Sequence, residues 1–353
     1  MSEPEPRSLP EIPAPVPLAF VIGGTAFGLI AYLLVGGLTQ FLHLAFGLWF
    51  AEIVIFAALA VMAWQALSLS PTRAMGITRF EPRSFGIGVA FGLVNYAAWA
   101  IPTMALAHAV FPKKVLELFD SAKIFDRQTP LEFWLIVIGV SVAAPLGEEF
   151  FFRGFMQRGL EKNSGGPRAI VVTAFIFSAF HLDPVGLVSR FELGLLFGLL
   201  AWYSGSIWPA IGAHAANNAI SSTLFLLSRD SLDAKDDEIP WLAALIMFAV
   251  GNAVLYLLVR YASPGLKVAA PADFVDEKRP SPGTMFGPWV VGAVAAITLL
   301  IAVDRRGVAL NVVDGIARSP DSVRKRPDVI ELRARVRRGE APLDEYKQLI
   351  GAK

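Results

Sequence analysis

The sequence predicts an all-α fold: a polytopic transmembrane helix bundle of eight or nine spans with a small soluble helical tail at the C terminus. Three observations carry that prediction. Of 353 residues, 55% are hydrophobic and only 17% charged, against about 25% charged in soluble domains. Stretches of roughly 20 apolar residues recur, the length that crosses a hydrocarbon core about 30 Å thick at about 1.5 Å per residue. From Asp304 onward the composition turns polar.

Residues 1–16 are rich in proline and glutamate and read as a disordered tail. Candidate spans follow over 17–42, 46–68, 84–111, 130–156, 167–181, 185–207, 209–228, 239–261 and 283–303. The first is preceded by Glu3, Glu5, Arg7 and Glu11 rather than a basic region, and no small-residue cleavage motif follows, so it reads as a retained helix. Pro184 and Pro209 mark helix starts rather than kinks, because proline costs little in a first turn. The mixed-charge segment from Phe111 to Pro130, with Lys113, Lys114, Glu117, Asp120, Lys123, Asp126 and Arg127, suits the headgroup layer. Loop charges orient the bundle weakly. A cytoplasmic N terminus keeps Arg73, Arg79, Arg83, Arg153, Arg158, Lys162 and Arg168 inside, while it exports Lys113, Lys114 and Lys123 and, with nine spans, the tail beginning at Arg305 and Arg306.

The bundle, 17–303, gives way to the tail, 304–353. There Ile330, Leu332 and Val336, then Leu343, Tyr346 and Leu349, fit two short amphipathic helices around Gly339. The pattern resembles the short C-terminal helical module called SHOCT; it also reads as a solvated basic helix beside lipid headgroups.

Thirty-one basic against 30 acidic residues give a net charge of +1, so no global field draws the chain to nucleic acid, which is not an expected partner. Membrane lipid is. The absence of cysteine excludes disulfides, thiolate nucleophiles, iron–sulfur clusters and every cysteine-bearing zinc site. Chemistry falls to oxygen and imidazole, and there are four histidines.

Ionisable groups at membrane depth cost several kcal/mol unless paired, so they mark function. In APLGEEFFFRGFMQRGL, Glu149 and Arg153 are four apart and share a face, with Gln157 one turn further on. Glu148 is rotated about 100° away and left without that partner, free to act as a general base. The alternative is that all three mark the interface, where snorkelling makes charge cheap. In TAFIFSAFHLDP, His181 shares a face with Phe177, and Asp183 suits a turn before Pro184. In PAIGAHAANNAISS, His214 and Asn218 project together among small residues, while Asn217 points elsewhere. A buried histidine or amide is also common structural glue, so each segment alone leaves both readings open. Together they supply what amide hydrolysis needs: a base for water and donors for the oxyanion. His43 and His108 lack such company.

At these residues the chain resembles the CPBP family of intramembrane proteases, named for CAAX proteases and bacteriocin-processing enzymes. Its EExxxR motif is matched by Glu148, Glu149 and Arg153, its FxxxH motif by Phe177 and His181, and its HxxxN motif by His214 and Asn218, within a core at 130–230. The resemblance implies that Glu148 with His181 activates water, that His214 and Asn218 hold the oxyanion, and that Glu149 and Arg153 support them. It implies a membrane-associated protein or peptide cut near its C terminus, with the chain in a multi-pass setting, expected to be a bacterial cytoplasmic membrane. The expected mechanism needs no cofactor. Zinc is possible within the family, through Glu148, His181 and His214, but there is no HExxH and Asn218 is a poor zinc ligand. Outside the family, a transporter using intramembrane acids as a proton relay would show internal repeats, and no self-similarity between halves is found. A non-catalytic scaffold or immunity protein would keep the fold and bind a membrane helix.

Overall fold

The computed structural model describes residues 16–77, 80–125, 129–229, 240–266, 282–317 and 319–352; the expected N-terminal tail lies outside them except for Val16, which is buried. The described residues contain helices and no strand. Seven helices are long and apolar enough to cross a membrane: α1 Leu18–Leu42, α2 Leu44–Ala66, α3 Pro82–Val110, α4 Pro130–Ser164, α6 Leu187–Ser204, α8 Trp241–Leu266 and α9 Gly283–Val303. The chain is a multi-pass membrane protein. The other two expected spans are helices of a different kind. α5, Gly166–Phe180, is only 15 residues long, and α7, Trp208–Arg229, carries His214, Asn217, Asn218 and Ser221–Thr223 among its apolar residues. The longer tail helices are α10 Arg305–Ala317, α11 Pro327–Arg338 and α12 Leu343–Ile350, with a single turn at Asp321–Arg324 between the first two.

Proline shapes the long helices in a way that matters for the site. α4 starts at Pro130 behind a capping box in which Thr129 and Glu132 exchange hydrogen bonds. It passes through a π-helical turn at Gly139–Ala143 just before Pro145. There the Ala144 N–H turns back to the Gly139 carbonyl, and Pro145 has no N–H to offer, so the Val140 carbonyl loses its intrahelical donor. α3 does the same with a π turn at Tyr96–Ala100 before Pro102, where the Thr103 hydroxyl serves the Trp99 and Ala100 carbonyls at 2.6 and 3.0 Å.

The main core is aromatic and belongs to α4. Phe151, Phe152 and Phe155 pack with Phe56, Trp64, Phe177 and Phe197. Room for them comes from α1: a Cβ on Gly28 would lie 2.3 Å from the Phe151 ring and one on Gly24 2.8 Å from Phe155. On the far side, α3 and α7 touch through backbone, since a Cβ on Gly88 or Gly92 would lie 2.2 or 2.1 Å from the Pro209 or Ala213 carbonyl oxygen. α8 and α9 bury little of themselves and present lipid-facing apolar surface.

The tail helices form their own core of Leu310, Val329, Leu332, Val336, Tyr346 and Ile350, on either side of Gly339, which adopts the left-handed φ of +81°. Ile330, expected inside, is exposed: the buried stripe runs Val329, Leu332, Val336, one residue out of phase with it. The tail docks on the bundle. Asn311 donates to the Leu42 carbonyl at 2.8 Å, and Arg337 grips both oxygens of Glu132 at 2.8 and 3.0 Å and reaches Asp304 at 2.9 Å. His43 stands apart from the motif residues, as expected, and belongs to this junction, with Nε2 3.1 Å from Glu132 and 3.6 Å from Asp304. Its extended backbone ends α1, and its Nδ1 accepts the Phe46 N–H that opens α2. His108 caps nothing and bonds the Met104 carbonyl one turn back.

Candidate active site

α4 sets the first two carboxylates. Glu148 closes the turn that begins at Ala144, and from Glu149 to Gln157 the helix is π-helical, a form concentrated at functional sites. The side chains of Glu149 and Arg153 are wholly buried and paired, with Nη1 donating to Oε1 at 2.8 Å, as their spacing predicts. Their burial removes the reading in which these charges merely mark the interface. Arg153 also donates to the Gly194 carbonyl at 3.1 Å, and Gln157 to the Gly198 carbonyl at 3.1 Å, tying α4 to α6. The guanidinium sits 4.6 Å from the centroid of the Phe177 ring and 5.2 Å from that of Phe197, a desolvated cation among aromatic faces.

The close backbone contact of α3 with α7 brings His214 to the same place. Its Nδ1 lies 2.9 Å from Glu149 Oε1, its ring stacks on Phe197 at 4.7 Å, and its Nε2 stands 3.8 Å from Glu148 Oε2. A carboxylate that already receives Arg153 accepts from imidazole as well, which assigns the hydrogen to Nδ1 and aims Nε2 at Glu148. Oε2 of Glu148 and Oε2 of Glu149 are buried with no hydrogen-bond partner among the described residues. Orphaned buried oxygens of this kind call for water or a substrate group.

Asn218, one turn beyond His214, donates to the Val140 carbonyl at 2.9 Å, the acceptor that Pro145 leaves free. Asn217 does not point away as expected; its amide approaches Asn218 Oδ1 at 3.4 Å. His181 ends α5 with Nδ1 on the Phe177 carbonyl at 2.8 Å, and is exposed. Leu182 follows in the left-handed region at φ +52°, a conformation unfavourable for leucine that holds the turn in place. Asp183 takes its expected turn role, accepting the Val185 N–H at 2.9 Å, and also binds Arg190 at 2.5 Å. Glu148, Glu149, Arg153 and His214 thus form one continuous cluster. His181 reaches it through the Phe177 ring, which touches both imidazoles, and Asn218 stands beside it, anchored to α4.

Two further acids stand inside apolar spans, outside the motifs. Glu52 lies in the middle of α2, receives the Tyr32 hydroxyl at 2.9 Å, and leaves Oε2 unpartnered 2.7 Å from where a Cβ on Gly147 would stand. The rule that exposed the other acids, a charge inside an apolar span, also applies to it. Glu192 on α6, bonded by Asn95 at 2.8 Å, is a second such residue.

The possible zinc set does not close. Among the described residues, the group of three whose ligand atoms lie within 4.8 Å of one another is His43, Glu132 and Asp304 at the tail junction; Glu148, His181 and His214 do not form one. At the junction Arg337 already occupies both carboxylates.

No curated protein and no solved structure matches the chain. A family model does: residues 130–220 match the Rce1-like family, described as type II CAAX prenyl endopeptidase Rce1-like. The matched segment runs from the start of α4 past Asn218 and so contains every motif residue of the site. It agrees with the CPBP resemblance and supports a CAAX-type membrane protease in general terms: residues 130–220 of this multi-pass chain are an Rce1-like segment.

Proposed function

We propose that the chain is an intramembrane endopeptidase that hydrolyses a peptide bond near the C terminus of a membrane-associated protein or peptide, in a bacterial cytoplasmic membrane. Glu148, with His181, takes a proton from water; the hydroxide attacks the scissile carbonyl carbon, and the carbonyl electron pair becomes the oxyanion. His214 and Asn218 donate to that oxyanion, His214 as an imidazolium that keeps its Nδ1–H on Glu149 and donates from Nε2–H, and Asn218 from the amide hydrogen that Val140 does not use. On collapse the C–N bond breaks and Glu148 returns its proton to the leaving amine. Glu149 and Arg153 are positioning residues.

The observation that carries this reading is the clamp on His214, an imidazole fixed by one buried carboxylate and aimed at another whose outer oxygen is unsatisfied. A transporter or scaffold has no need of that arrangement, and the match to an endopeptidase family favours hydrolysis. The mechanism is proposed as metal-independent, since His181 is not drawn into a ligand group with Glu148 and His214. Cleavage of CAAX-form peptides in proteoliposomes tests this. Activity that survives chelation in protein free of bound metal, and that His181→Ala lowers by about 100-fold or more, is the expected result. Activity lost with chelator and restored by zinc would transfer the chemistry to the metal reading.

A further inference from the structure

The turn that carries His181 also carries a cation that the mechanism leaves unused. Arg190 stands on the first turn of α6, half-buried, with Nη1 on Asp183 Oδ2 at 2.5 Å. Its guanidinium lies across the backbone of Gly186: a Cβ there would meet Nη1 at 2.0 Å and Cζ at 2.6 Å. The glycine therefore serves as a seat, and its own φ of −87° imposes no need for glycine. Through Asp183, Arg190 is tied to the turn that carries His181. Its Nε and Nη2 have no side-chain or backbone partner among the described residues. A guanidinium pinned on one side and open on the other can offer its remaining N–H groups to an anionic ligand.

We propose that Arg190, tethered by Asp183 and seated on Gly186, binds the free C-terminal carboxylate of the substrate; this rests on the protease reading above. The planar guanidinium offers two parallel N–H groups to a carboxylate, the geometry that makes such pairs strong. Without it, the carboxylates of Glu148 and Asp183 would repel an anionic chain end. Cleavage two or three extended residues from the end would set the carboxylate about 7–11 Å from the scissile bond. The site would thus select chain ends over internal segments.

The test uses the full chain in proteoliposomes and quenched-fluorescence peptides of CAAX form, prenylated and unmodified, each made with a free-acid and a carboxamide C terminus. The unaltered protein is expected to favour the free acid by about tenfold or more in kcat/KM, mainly through KM. Arg190→Gln and, independently, Gly186→Ala are expected to bring the ratio of the two peptides close to one. A ratio unchanged in both variants, with both peptides slowed alike, would make Arg190 a staple of the turn and overturn the proposal. So would an unaltered protein indifferent to the terminal group. If the unaltered protein cleaves none of the peptides, the protease reading itself fails, and the anchor with it.

Discussion

Two charged networks hold this molecule together, and they differ in almost every respect that sets the worth of an ion pair. Inside the bundle, Glu149, Arg153 and His214 are sealed from solvent among aromatic rings. At the tail junction, His43, Glu132, Asp304 and Arg337 are partly exposed and join segments from both ends of the sequence. Charges buried without solvent depend on each partner, whereas half-exposed charges can fall back on water. The first network therefore fixes chemistry in place, and the second fastens an appendage.

The largest effect should come from breaking the buried network. Glu149→Ala leaves Arg153 and His214 Nδ1 without their shared acceptor, and the loss of one partner from such a pair costs about 3–5 kcal/mol. Thermal unfolding in detergent should fall by an amount of that order, with cleavage abolished. Stability and turnover equal to the unaltered protein would mean that the pair is not desolvated.

The two networks were also unequally legible in the sequence. The Glu149–Arg153 pair follows from four-residue helical spacing, so it could be read directly. That Glu149 also holds His214 could not, because the contact crosses 65 residues and depends on Gly88 and Gly92 letting α3 and α7 meet. The anchoring of Asn218 lies between these cases: Pro145 announces a missing donor, but only the packing shows which amide replaces it. Glu52 is legible by the same rule, though a single acid in a long apolar span is a weaker signal than a pair. The junction was hidden for a different reason. Glu132 and Arg337 are 205 residues apart, and the exposed face of a tail helix gives no sign of what it will grip.

The junction should yield much less. Arg337→Ala removes the bidentate contact to Glu132, and a half-exposed pair of this kind contributes about 1 kcal/mol or less, weakening further as salt screens it. Limited proteolysis should release the tail sooner from the variant, with the unaltered protein approaching it in 1 M salt and peptide cleavage retained in both. A tail held equally well without Arg337 would place the attachment in the Asn311–Leu42 contact instead.

The central claim is that Glu148, left unpaired beside a clamped imidazole, is the group that activates water. The direct measurement is kcat for Glu148→Gln in proteoliposomes, a substitution that keeps shape and removes the base. A fall in kcat of about 100- to 10,000-fold, with KM and thermal stability little changed, is the predicted result. Turnover at the unaltered rate would contradict the account.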